Sequence, residues 1–277
     1  VMASNVDEFV SPAFNFDGWI ELYNPTDKRV NLGGLTVSDP QNGEDPWTTP
    51  TTMGSIPAKG YALIWFDSND VCEANAPFKL DVDGGQIVIS NAAGEEIVSQ
   101  SYPAGMQRIS YARQADGTGE WGFTSTPSPG ATNSGSKFAQ QQLEAPVVDQ
   151  PSQLFTGSLT IQVDIPSGAT LRYTTDGKLP TLSYGSTSSN GKFTFSQTRN
   201  YRFRLFADGK LPSDVTTRSY IYRDKKYILP TVSVVTDPDF LYSSEIGVMT
   251  TGPNGRPGNG RDDKCNWNMN WERPVNF

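Results

Sequence analysis

The sequence predicts an all-β chain, built as two β-sandwich domains followed by a short C-terminal extended segment. Three observations lead there. Glycine and proline are abundant, at 26 and 20 of 277 residues; aromatic and β-branched residues alternate with polar ones in short runs; and no stretch sustains the 3.6-residue period of an amphipathic helix. The length accommodates two domains of about 100–200 residues each, with a core in both. We place them at residues 1–133 and 145–223, with a linker at 134–144 and the extended segment at 224–277.

Along the first domain, residues 18–23 alternate as a strand, with Trp19, Glu21 and Tyr23 on one face and Ile20 and Leu22 on the other, before Pro25 and Asp27 turn the chain. Further strands are predicted at 35–37, 61–66, 86–90, 96–102 and 108–111. Turns separate them at Pro57-Ala58-Lys59-Gly60, Asp83-Gly84-Gly85 and Asn91-Ala92-Ala93-Gly94. The linker is rich in Ser, Gly, Asn and Gln, with one short helical turn expected over 137–143. In the second domain Leu171 and Tyr173 alternate with Arg172 and Thr174, and Asp176-Gly177 marks a tight turn because glycine accepts positive φ without a steric penalty. Pro180 stops the ladder, and strands are predicted again at 192–195, 201–206 and 215–222, with a turn at Asp208-Gly209. The last segment reads as an extended run over 227–238 and a flexible, glycine-rich loop over 252–263.

Composition bounds the function. Net charge is −8 and uneven: residues 1–133 carry 17 acidic and 6 basic side chains, the remainder 13 and 16. Such a chain lacks the clustered basic footprint of nucleic-acid binding. It has no histidine, which removes histidine-based triads, the usual zinc sets and imidazole proton shuttles. No apolar run approaches the roughly 20 residues of a membrane span, and no signal-peptide pattern opens the sequence, so a mature or trimmed form without a span is expected. Cys72 and Cys265 are the two cysteines. Paired, they would stabilise the fold by about 5 kcal/mol on the chain-entropy account and imply an oxidising compartment; two free thiols are the alternative, and both stay open.

Several residues invite sharper readings. Asp81-Val82-Asp83-Gly84-Gly85, with Asp67 and Asp70, offers oxygen ligands for calcium, but without EF-hand spacing an acidic turn is the better reading. Trp19, Trp47, Trp65 and Trp121 are candidate sugar platforms; Trp47, in a polar loop, is the strongest. Gly255, Gly258 and Gly260 match no phosphate-loop pattern. Glu272 and Arg273 are neighbours that would face opposite sides of a strand, so a structural ion pair to another partner is expected. No pair among the 30 acidic residues is singled out by spacing as the carboxylates about 5–10 Å apart that a glycosidase needs. We therefore assign no catalytic, cofactor-binding or metal residue.

Three stretches resemble known families. Trp19-Ile20-Glu21-Leu22-Tyr23-Asn24-Pro25, Val30-Asn31-Leu32-Gly33-Gly34 with Leu35 and Ser38-Asp39, Ile56-Pro57-Ala58-Lys59-Gly60-Tyr61, Ser110-Tyr111-Ala112-Arg113 and Thr126-Pro127-Ser128-Pro129-Gly130 with Asn133 resemble the lamin-tail domain family. That resemblance covers nearly all of 1–133 and implies an immunoglobulin-like fold, with the family's opening strand clipped at Val1-Met2-Ala3. Ala145-Pro146, Arg172-Tyr173-Thr174-Thr175-Asp176-Gly177, Leu179-Pro180-Thr181, Asp208-Gly209, Pro212-Ser213 and Ser219-Tyr220-Ile221 resemble the C-terminal accessory domain of the chitobiase and β-hexosaminidase family. It implies an immunoglobulin-like or fibronectin-like spacer without catalytic carboxylates. Leu229-Pro230-Thr231-Val232-Ser233-Val234 with Asp237, Gly247 and Trp271-Glu272-Arg273-Pro274-Val275 resemble the opening of the CotH kinase-like family. The sequence stops at Phe277, so none of that family's nucleotide- or metal-binding residues has a position here.

These resemblances imply a non-catalytic, extracellular or cell-surface accessory region of a larger CotH-family protein, with no enzyme activity and no cofactor. Its expected partners are the remainder of its own polypeptide and an extracellular polysaccharide or cell-surface component, with no nucleic acid. A carbohydrate-binding module is the alternative.

Overall fold

The computed structural model describes residues 1–68 and 74–277, which form two compact units, Val1–Ala139 and Gln140–Phe277. Nearly all regular structure in both is β.

In the first unit the strands are β1 (Gly18–Tyr23), β2 (Val30–Asn31), β3 (Thr36–Asp39), β4 (Glu44–Thr48), β5 (Ser55–Ile56), β6 (Tyr61–Phe66), β7 (Asn75–Ala76), β8 (Gly85–Ser90), β9 (Glu96–Tyr102), β10 (Ser110–Arg113), β11 (Trp121–Thr124) and β12 (Phe138–Ala139). They assemble as sheets ordered β4-β3-β8-β9, β1-β6-β7 and β10-β11-β12, with β2 paired to β5. Alternation decides what is buried: Ile20, Ile64 and Phe66 meet Val37, Ile87 and Ile89 in the core. The opposite face of β1 and β6 is also covered, because Trp19 and Trp65 lie beneath Met2 and Phe9. Met2 exchanges backbone bonds with Trp19 at 2.9 and 3.1 Å, while Tyr111 N–H donates to Val1 O at 2.8 Å. The helical turn expected over 137–143 is corrected: Phe138 and Ala139 pair with Thr124 and Phe123, and the short 3-10 turn lies earlier, at Asn133–Gly135. Pairing along an open strand outweighs the helix preference of the Gln run.

The second unit contains β13 (Gln153–Phe155), β14 (Leu159–Gln162), β15 (Thr170–Thr174), β16 (Ser186–Ser188), β17 (Lys192–Phe195), β18 (Arg199–Phe206) and β19 (Thr216–Tyr222), then the one-turn helix α1 (Pro238–Tyr242), β20 (Thr251–Gly258) and β21 (Arg261–Cys265). The five-stranded sheet β13-β19-β18-β15-β16 faces the pair β14-β17. Leu171, Tyr201, Phe203, Leu205 and Tyr220 from one layer meet Ile161, Phe193 and Phe195 from the other. The rings interlock, with Phe193 4.8 Å from Tyr173 and edge-on to it.

Two expectations about the last segment change. Residues 227–238 run extended up to α1 but join no ladder apart from the bridge between Val235 and Asn276, as Pro230 supplies no donor. The supposed loop at 252–263 is a hairpin, β20 and β21 joined at Asn259 and Gly260. Those two residues have φ of 53° and 75°, the doubly positive geometry of a two-residue type I′ connection.

Candidate functional site

The motif around Asp176 is a joint between the second sandwich and the segment that follows it. Asp176 Oδ1 accepts the Lys178 N–H at 3.0 Å, the local bond by which a short carboxylate closes its own turn. Its other oxygen accepts the Tyr184 hydroxyl. Burial works against the charged carboxylate, yet the Tyr184 and Lys178 donors outweigh it and hold the pKa below the ordinary value. Beneath the turn, Arg202 is buried and its Nη1 donates to Gly177 O at 2.9 Å.

Over the turn lies the later segment. Gly177 has φ of +86°, and a Cβ there would sit 2.2 Å from Thr236 O, so the residue answers both to the turn and to close approach of another backbone. Lys178 Nζ reaches Asp239 Oδ2 at 2.8 Å and Asp237 Oδ1 at 3.8 Å, and the Asp239 bond leads in raising its pKa. Asp237 also caps α1, with Pro238 in the first turn and the Asp239 N–H bonded to the Asp237 side chain at 2.9 Å. Ser233 Oγ adds a bond to Ser219 Oγ at 2.8 Å. Sequence reasoning missed this joint, although Asp237-Pro238 is a helix-start signal.

The segment so held turns apolar side chains outward. Ile228 is 84% exposed, Leu229 76%, Val232 74% and Val234 60%. A cleft of about 450 Å³ lies where residues 275–277 meet Ser152 and 215–219, and no Asp or Glu is among its lining residues.

In the first unit the motif residues act as staples. Glu21 Oε1 accepts the Gly130 N–H at 2.6 Å, tying β1 to the Pro-rich stretch; burial raises the pKa of this carboxyl, opposed by that bond. Asn24 is buried and donates to Lys28 O at 2.7 Å and Pro57 O at 2.8 Å. Asp116 accepts the Tyr61 hydroxyl at 2.8 Å and the Asn133 N–H at 3.0 Å, and burial together with Asp116 pushes the Tyr61 pKa up to about 12. Asp39, fully buried, takes the Tyr102 hydroxyl at 2.9 Å, Asn42 at 2.8 Å and the Gln86 N–H at 3.1 Å. Asp7 and Arg108 form a buried ion pair whose side chains are 6% and 4% exposed.

Asp81 Oδ1 accepts the Asp83 N–H at 2.8 Å, closing its own turn; Asp67 is buried, and Asp70 lies outside the described residues. Trp19 and Trp65 are buried, and Trp47, on β4 opposite Val37, packs against the core. Trp121 stacks on Tyr111 at 5.1 Å with the Arg113 guanidinium 4.9 Å from its ring. Arg273 donates to the carbonyls of Ile246 at 2.8 Å and Glu272 at 2.7 Å and lies 5.0 Å from the Trp271 ring. Cys265 is a buried free thiol 3.3 Å from Asp263 O, and Cys72 lies outside the described residues. No helix among the described residues is long and apolar enough to cross a membrane.

No curated protein matches the chain. Residues 4–104 match the family model described as Lamin Tail Domain, and the first unit accordingly carries a lamin tail domain, an immunoglobulin-like fold, over those residues.

Proposed function

We propose that this chain is a non-catalytic extracellular accessory region of a larger CotH-family surface or secreted protein, in which two β-sandwich modules position or attach a further domain. One observation carries the reading. The segment after the second sandwich is fixed to it through Gly177, Lys178 and Ser219, yet presents Ile228, Leu229, Val232 and Val234 to solvent. A segment that leaves four large apolar side chains exposed reads as an interaction site, and anchoring such a segment on a sandwich is what a spacer that hands the chain to its next domain requires. The motif residues support the same reading, because Glu21, Asn24, Asp39 and Asp176 spend their polar groups on turns and strand ties. The resemblances at 145–223 and 224–277 motivate the family and the compartment proposed.

The test compares this chain with its parent polypeptide by hydrogen exchange. Slowed exchange over 227–234 when the further domain is attached is the expected outcome. Equal exchange in both would show that the apolar run is not the interface.

A further inference from the structure

We propose that the β20–β21 hairpin and the turn after it form a binding site for a neutral polysaccharide, with Trp267 as the platform on which a sugar ring stacks. The site goes beyond the spacer role and does not depend on it. Trp19, Trp65 and Trp271 are buried, and Trp47 and Trp121 are partly buried. Trp267 is 40% exposed, and a large aromatic side chain left in solvent is informative where the others of its kind are packed away.

The indole is presented from a rigid mount. Asn266, just before it, is fully buried and donates to Gly247 O at 2.9 Å and Ser244 O at 3.1 Å. Asn268, just after it, donates to Arg256 O at 3.0 Å, while its own oxygens accept from Asn259 Nδ2 at 2.6 Å and Arg256 Nε at 2.5 Å. Little backbone freedom is left to lose when a ligand stacks, which favours binding.

The surroundings select the ligand. The Arg261 guanidinium lies 5.9 Å from the Trp267 centroid and pairs with Asp263 at 3.1 Å. Arg261, Asp262, Asp263 and Asn259 are all exposed. The guanidinium lies over the ring, so a neutral pyranose whose C–H face lies on the indole would displace it, its hydroxyls then giving and taking hydrogen bonds with the exposed Arg261, Asp262, Asp263 and Asn259. A single-stranded nucleic acid would also stack, but needs a basic groove. Here Asp262 and Asp263 offset Arg261 and Lys264 within one strand.

Affinity electrophoresis of the whole chain at physiological ionic strength, against soluble β-glucan, xylan, galactomannan and chitohexaose, tests the proposal. Retardation by at least one of them is expected, weakened about tenfold or more in Trp267→Ala and partly kept in Trp267→Phe, with Arg261→Ala between. Thermal unfolding of each variant is followed in parallel, and the Phe variant keeps an aromatic ring should the Ala variant disturb the hairpin. Failure of all four carbohydrates to bind would overturn the proposal. So would equal retardation of wild type and both Trp267 variants, or retention by a single-stranded oligonucleotide alone.

Discussion

Substituting Gly177 by alanine separates the two demands made on that residue. The first is conformational: at φ of +86° a non-glycine residue costs about 1–2 kcal/mol. The second is contact, because the new Cβ would stand 2.2 Å from Thr236 O, 3.2 Å from Thr236 C and 3.5 Å from Pro238 Cδ. A methyl group cannot share that space with a backbone carbonyl, so the segment has to lift. Gly209 provides the control. It has φ of +70° and nothing within 4 Å of the built Cβ, so Gly209→Ala pays the conformational cost alone. Gly209→Ala should lose about 1–2 kcal/mol of stability in urea and Gly177→Ala at least as much, while only Gly177→Ala should speed hydrogen exchange over 231–240. Trypsin provides a second readout at Lys225 and Lys226, both exposed, with faster cleavage expected in Gly177→Ala alone. Equal exchange over 231–240 in the two variants would refute the claim that the Asp176-Gly177 turn seats the segment.

Other consequences follow from the same contacts. Asp176→Asn should lower the melting temperature near neutral pH. Because the folded-state pKa of Asp176 is depressed, its contribution is complete above the unfolded value and fades as pH falls through the folded value; the gap between wild type and variant should therefore narrow below about pH 4, and a gap constant with pH would contradict the assigned bonds. Asp7→Ala leaves Arg108 buried without its carboxylate, so the first unit should lose about 3–5 kcal/mol, measured by denaturant unfolding; a loss below about 1 kcal/mol would mean that the pair is solvated.

Much of the fold was legible because it rests on local chemistry. Alternation placed the strands at 61–66, 96–102 and 192–195 with the bounds observed, and glycines at 84, 177 and 209 turn with positive φ as expected. What escaped was decided elsewhere in the chain. β4 contains Pro46 and reads as loop, yet Val37 holds Trp47 in register. The hairpin at 251–265 did carry a local signal in Asn259-Gly260, which its polar, proline-interrupted flanks hid. The joint at Lys178 was not readable, since its carboxylates come from 59 and 61 residues later and sequence does not show proximity. The acidic staples are similar: Asp39 is legible as part of a motif, but its hold on Tyr102, 63 residues on, is a product of the fold.

The proposed role is positioning and attachment rather than catalysis. Turnover assays with ATP and with chitooligosaccharides on the 277 residues test it most directly. No release of ADP and no shortened sugar above buffer controls is expected. Sustained, enzyme-concentration-dependent turnover of either would contradict it.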